Sequence, residues 1–300
     1  MKSRTPVSLA LISAFLWGLS YPLTKMNQTA FAVSGAGSLM LVAGIRFVIS
    51  GGVLILWNLA RHRKHPEIPA VPTRRDVKQV VILGLLMTAL QYLFMYSGLE
   101  LCTGSKSSIL KQTSVPLVVF LSGLIFPDDR LNWRKIAGVF LGFASVIVSS
   151  LPLSNFDFVP AGDIPVLLAA MSAGFADLYA GRATKSCDPI FLSGWQQFFG
   201  GCVLLLGGIL CGGQIGAVTA EAIIVLLAVC AASIVASTLY LWLTRSCPVS
   251  QLSLYKLTIP IFSVLTSGLI LGEDFLRPQY WAAIVLVSLG VVAAREKKKA

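Results

Sequence analysis

The sequence predicts an all-α polytopic membrane protein: ten transmembrane helices arranged as two inverted five-helix repeats. Three observations carry this. First, the 300 residues are 56% hydrophobic and only 12% charged, whereas a soluble domain carries about 25% charged residues. That deficit cannot be hidden in one core, so most helices must face lipid. Second, ten apolar segments approach the roughly 20 residues needed to cross about 30 Å of hydrocarbon. Third, the basic residues alternate between segment ends in a way that fixes a sidedness.

The ten segments are 6–25, 37–59, 79–98, 103–126, 133–151, 163–183, 189–211, 219–243, 249–271 and 279–295. The first follows Lys2 and Arg4 and opens on an apolar run from Val7 to Leu16, as a signal peptide does. No clear small-residue cleavage site follows it, so it reads as a retained membrane helix. The second carries Arg46, and the Arg-, Lys- and Pro-rich stretch 60–78 is the one long connection. The third holds Gln91, Tyr92 and Tyr96; helical spacing lets Tyr92 and Tyr96 share a face but sets Gln91 apart from Tyr92. The fourth contains Lys111 and Pro116, and the fifth the spacing Gly138-x-x-x-Gly142, which lets helices approach closely. The sixth contains Asp177, the seventh Trp195 and Gln196, the eighth Tyr240, and the ninth Tyr255, Lys256 and Pro260; the tenth is apolar almost throughout.

Placing the N-terminus inside puts 18 of the 24 Lys and Arg at inner ends. Three (Lys25, Lys106 and Arg277) fall at outer ends, and three (Arg46, Lys111 and Lys256) within spans. Such a bias predicts cytoplasmic N- and C-termini. It also accounts for the net charge of +11, which a nucleic-acid partner would otherwise suggest. The halves match each other at an offset of 144 (Tyr96 and Tyr240, Pro116 and Pro260, Asp129 and Glu273). They match again at an offset of 150 (Gly44 and Gly194, Arg46 and Gln196, Gly51 and Gly201). The expected units are therefore 1–151 and 152–300. Five spans is an odd number, so the second unit enters from the opposite side, as in many secondary transporters.

Lys111 and Lys256 are the first candidates for a site. An ammonium within a span costs free energy and is rare without a use. At 1.5 Å per residue each lies roughly 10–12 Å below its entry surface, and the two enter from opposite faces. Each either holds an anionic group, titrates as a proton-coupling site, or snorkels to the interface. Pro116 and Pro260 follow them within five residues and suit a bend or hinge. Arg46 either contacts substrate or pairs with an acid such as Asp177, the most credible buried carboxylate. Asp177 either pairs with a lysine or couples protons. Trp17, Tyr21, Gln91, Tyr96, Trp195, Gln196, Tyr240 and Tyr255 complete a mid-span set of aromatic and amide groups that suits an amphipathic ligand. Trp57, Trp133, Trp242 and Trp281 read instead as interfacial belt residues. Glu100, Asp129 and Glu273 read as boundary acids.

Four stretches resemble the drug/metabolite transporter superfamily, of the ten-helix bacterial type with two EamA repeats. Trp17-Gly18-Leu19-Ser20-Tyr21-Pro22-Leu23-Thr24-Lys25 is similar to the ending of that family's first helix, and Ala43-Gly44-Ile45-Arg46-Phe47 to its second-helix arginine pattern. Tyr96-Ser97-Gly98-Leu99 leading to Pro116, and the run from Leu239 to Gly290 with Leu271-Gly272-Glu273, resemble its third-to-fourth helix run and the second-repeat equivalent. The resemblance implies a ten-helix basket around a central cavity, alternating access, and transport of small metabolites such as amino acids, often outward. At Lys111 and Lys256 the chain departs from the small or apolar residues usual in that family.

Six cysteines without a close Cys-x-x-Cys pair, and two His in one basic loop, argue against a metal or redox site. No nucleotide-binding loop or catalytic triad stands in the sequence, so no cofactor and no enzymatic activity are expected. The expected function is secondary transport across the inner membrane of a small metabolite bearing a carboxylate, driven by a proton gradient or by the substrate's own gradient. The alternatives are an uptake carrier or exchanger for a nucleoside or cationic drug and, from another class, a membrane-embedded enzyme or sensor. The expected partners are a small-molecule substrate and the lipid bilayer, with no nucleic acid. Monomer and homodimer both fit.

Overall fold

The computed structural model describes residues 7–99, 101, 104–149, 158–216, 218–272 and 276–294. The expected unit boundary at 151/152 and the boundary acids Glu100 and Glu273 lie outside them. The described residues form helices joined by short turns: α1 (Val7–Ala30), α2 (Ala36–Lys64), α3 (Arg74–Leu83), α4 (Leu90–Leu99), α5 (Gly104–Gln112), α6 (Ser114–Ile125) and α7 (Trp133–Ser149). The second half comprises α8 (Pro160–Ser186), α9 (Pro189–Leu210), α10 (Ala220–Ser246), α11 (Val249–Lys256), α12 (Ile259–Leu271) and α13 (Pro278–Ala293). A π-helical stretch, Gly84–Ala89, joins α3 to α4 as one span. Seven spans are long and apolar enough to cross a membrane, namely α1, α2, α3–α4, α8, α9, α10 and α11–α12. Among the described residues, Ile109–Ile125 across α5–α6 and Pro278–Ala293 (α13) are shorter apolar helices, and α7 is a helix of 17 residues, in line with ten expected spans. Large apolar side chains such as Leu56, Leu124, Leu210 and Leu269 point outward, as lipid-facing surfaces do.

The packing closes under exchange of the two halves. The second helix of each half, α2 and α9, forms the most extensive contact, and the last helices, α7 and α13, pack on each other. The first helix against the partner half's third (α1 with α10, α8 with α4) and against its fourth (α1 with α12, α8 with α6) come in matched pairs. The α2–α9 crossing shows this at atomic level. A Cβ on Gly51 would fall on the backbone of Phe198 and lie 2.7 Å from the Gly194 carbonyl; one on Gly201 would lie 2.7 Å from the Val48 N. Phe198 and Val48 are themselves 150 apart, so the contact is self-complementary. The glycines that match across the halves in sequence are thus the ones that let these two helices touch.

Several ends differ from the sequence expectation. The first span runs five residues further, to Ala30. The third begins five earlier, at Arg74, because Thr73 and Asp76 form a capping box in which Asp76 accepts hydrogen bonds from the Thr73 N–H (3.0 Å) and hydroxyl (2.7 Å). Spans four and nine are each two helices. At Thr113 and at Leu257–Thr258 the chain makes a tight turn instead of a continuous helix. The hydroxyl of Thr113 donates to Leu110 O (2.6 Å) and that of Thr258 to Tyr255 O (2.7 Å), the same bond in both halves. Pro116 and Pro260 therefore stand in the first turn of α6 and α12, where a missing N–H costs little, and not inside a kinked helix.

The two ends of the bundle are built differently. At the end that carries the α6–α7 turn, Lys135 Nζ donates to Asp129 Oδ1 (2.6 Å) and to Arg130 O (2.9 Å), with both side chains of the ion pair nearly inaccessible. Asp129 also accepts from the Ser250 N–H (3.0 Å) and from its hydroxyl, at the start of α11. An acid from the first half thus caps a helix of the second. Asp129 is a buried tie, not the boundary acid expected. Nearby, Asp188 caps α9 by accepting from the N–H of Ile190 (3.0 Å) and Phe191 (3.1 Å), and takes Arg61 at 3.0 Å. Burial pushes the Asp188 carboxyl up, but the hydrogen bonds from Arg61 and from the Phe191 N–H outweigh it, so it sits below the ordinary carboxylate range. Between these ties and the bundle centre lies an apolar plug of Ala10, Tyr240, Leu243, Cys247, Leu252 and Tyr255.

Candidate functional site

A cavity of about 600 Å³ occupies the centre of the bundle, walled by α1, α2, the third span, α5, α6, α8, α9, α10, α11 and α12. Its wall climbs α1 from Trp17 to Lys25 and Gln28, and the third span from Met87 to Leu99. Lys25 and Tyr21 are exposed, so the cavity opens at the end that carries Lys25, opposite the plug.

The floor is an ion pair. Lys256, the last residue of α11, donates to both oxygens of Asp177 on α8, at 2.6 and 2.8 Å. Its Nζ also lies 4.1 Å from the Tyr240 ring centroid and 5.0 Å from that of Trp17, within cation–π range. Lys256 stands directly before the break at Leu257–Thr258 and lines the cavity.

Arg46 lies higher in the wall. It donates to the Tyr92 hydroxyl (3.1 Å) and, at 3.4 Å, to Thr24 Oγ1, and its guanidinium sits 4.2 Å from the Phe47 ring centroid. The expected pairing of Arg46 with Asp177 is not made. Lys256 holds Asp177 instead, two turns of α1 away, since Trp17 marks the one and Thr24 the other (about 10 Å along the helix). Lys111 also faces the cavity, and its Nζ reaches only the Ala169 carbonyl, at 3.5 Å.

The cavity wall brings together Trp17, Tyr21, Arg46, Gln91, Tyr96, Lys111, Asp177, Gln196 and Lys256. Three candidates lie elsewhere. Trp195 packs with Val80, Leu83 and Phe191, its ring 6.4 Å from Phe198, because it sits on the face of α9 turned away from the centre. Tyr255 is 2% exposed within the plug, and Tyr240 stands behind Lys256. Gln91 and Tyr92 both line the cavity despite being neighbours in sequence. Adjacent helical residues point about 100° apart, and a cavity this wide is reached by both. Trp57, Trp133, Trp242 and Trp281 are all exposed.

Sequence reasoning missed the small polar residues. Ser233 and Ser237 on α10, and Ser263 and Ser267 on α12, each lie one turn apart and line the cavity. Gln197 Nε2 donates to Ser237 Oγ (2.9 Å), and Thr88 Oγ1 to Gln196 Oε1 (2.9 Å). Serines four apart on an otherwise apolar helix were the available signal. The π-helical stretch beneath Gln91 had none.

The profile of the EamA-like transporter family matches this chain twice, over residues 4–151 and 160–294. The chain belongs to the EamA-like transporter family. Among its relatives in that family's style of naming is "Uncharacterized inner membrane transporter YedA" of Escherichia coli (strain K12), 23% identical over 296 residues, covering 95% of this chain and 91% of the relative. "Uncharacterized transporter YvbV" of Bacillus subtilis (strain 168) is 27% identical over 303 residues, covering all of this chain and 94% of the relative. "WAT1-related protein At3g02690, chloroplastic" of Arabidopsis thaliana is 23% identical, covering 93% and 67%. A solved structure described only as a protein superposes with a TM-score of 0.78 at 20% identity, over 96% of each chain. At that identity the likeness speaks to the fold, and the fold is the one this EamA-like chain adopts.

Proposed function

We propose that this EamA-like chain is a secondary transporter of the inner membrane that exports a small carboxylate-bearing metabolite, an amino acid among the candidates, by alternating access. The carrying observation is the central cavity, where two cations, the buried Arg46 and the half-buried Lys111, line the wall with no carboxylate in ion-pair contact among the described residues. A cation kept in a membrane span without an acid suits an anion that arrives and leaves. The units 1–151 and 152–300 would rock about the α2–α9 crossing, with the breaks at Thr113 and Thr258, beside Pro116 and Pro260, as hinges. The membrane of residence follows the naming of YedA, and export follows the resemblance. Either a proton gradient or the substrate's own gradient would drive it, with Lys256–Asp177 the pair to carry a proton. A cationic substrate is disfavoured because Asp177, its natural receptor, is taken by Lys256.

Counterflow in proteoliposomes tests the reading. Exchange of a labelled carboxylate is expected in the wild type and is expected to fall on the order of tenfold or more in Lys111→Met, the scale of one lost charge-assisted contact. Undiminished exchange in Lys111→Met and in Arg46→Gln would remove carboxylate binding from these residues. The expected sidedness is checked by fusing a reporter after position 151 or after Arg245. The first should read outside the cytoplasm and the second inside, and the reverse would invert the topology.

A further inference from the structure

The charges on the wall do not balance. Among the described residues the cavity is lined by Lys25, Arg46, Lys111 and Lys256 but by one carboxylate, Asp177. Lys25 is exposed at the mouth and Lys256 holds Asp177, which leaves Arg46 and the half-buried Lys111 with no carboxylate in ion-pair contact among the described residues. Arg46 is 6% exposed, and its Nε is buried with no hydrogen-bond partner. Its two other nitrogens are steadied by Thr24 and Tyr92, and the side chain lines the cavity, so an anionic group entering there meets a guanidinium held in place by neutral partners. Lys111 comes from a different element, α5, with only a long bond to the α8 backbone.

Resting on the carboxylate reading above, we propose that the substrate carries two anionic groups, one received by Arg46 and the other by Lys111. A zwitterionic amino acid fits less well. Its single carboxylate satisfies one cation, and its ammonium would have to displace Lys256 from Asp177. A dicarboxylate, or another small dianion with separated charges, neutralises both cations and leaves the floor intact. The Gln91 and Gln196 amides and the Tyr92 and Tyr96 rings then line the linker between its two ends.

The test is thermal stabilisation of the full-length protein in nanodiscs by succinate, glutarate and adipate, with butyrate and alanine as one-carboxylate probes. At least one dicarboxylate is expected to bind on the order of tenfold or more tighter than butyrate or alanine, the contribution of one charge-assisted contact. Arg46→Gln and Lys111→Met should each abolish the preference for two carboxylates over one, in protein that remains monodisperse. Arg46→Lys and Lys111→Arg, which keep the charge, should retain the preference for two carboxylates and control for misfolding. Equal affinity for butyrate and all three dicarboxylates, or tighter binding of alanine, would overturn the two-group proposal and leave the carboxylate reading standing. No stabilisation by any of the five, in protein that remains monodisperse, would overturn both.

Discussion

Asp129→Asn is expected to destabilise the purified protein by about 3–5 kcal/mol, the cost of breaking a buried ion pair by removing one partner. The substitution leaves the Lys135 ammonium, 2% exposed, without its counter-charge. It also weakens the acceptor for the Ser250 N–H and hydroxyl at the start of α11. Because Ser250 belongs to the other half, the lost tie is between halves and not only within one. Thermal unfolding in detergent measures it, and an unchanged melting temperature would show that the cluster carries no stability. Asp129→Asn with Lys135→Met should recover part of the loss, since removing both charges is far cheaper than removing one. A double variant as unstable as the single one would point to the Ser250 contact as the larger share.

Asp177→Asn should destabilise the protein by about 3 kcal/mol, the cost of breaking a buried pair by removing one partner, and lower transport with it. The variant strands Lys256 between the Trp17 and Tyr240 rings with a neutral partner. Asp177→Asn with Lys256→Met removes the stranded charge, so folding should return. If the pair serves only packing, transport returns with it. If the pair takes part in coupling, the double variant folds normally yet exchanges substrate without being driven by an imposed proton gradient. Normal, gradient-driven transport in the single variant would exclude both roles.

Much of this protein was legible before any coordinates. A run of about 20 apolar residues leaves few choices in a bilayer, because every backbone polar group must be satisfied within the segment. The spans, their number and the repeat followed from that constraint and from glycines and aromatics recurring at fixed offsets. The breaks in spans four and nine were half legible: Lys111 with Pro116 and Lys256 with Pro260 marked the places. The turn itself falls ahead of each proline, at a threonine whose hydroxyl bonds back to the preceding turn. Which residues face the cavity was less legible still. Trp195 and Tyr255 look as fit for a binding site as Trp17 or Tyr96, and only helix rotation separates them.

By itself the sequence determined that this is a ten-span, internally repeated membrane protein with three cations inside its spans, because hydrophobicity, length and charge are local properties. Only the tertiary structure decided which cation keeps an acid. Lys256 takes Asp177, 79 residues away in sequence, while no acid among the described residues pairs with Arg46 or Lys111. Counter-ion choice depends on distances of a few ångströms between helices far apart in the chain, and no spacing along a single helix encodes them.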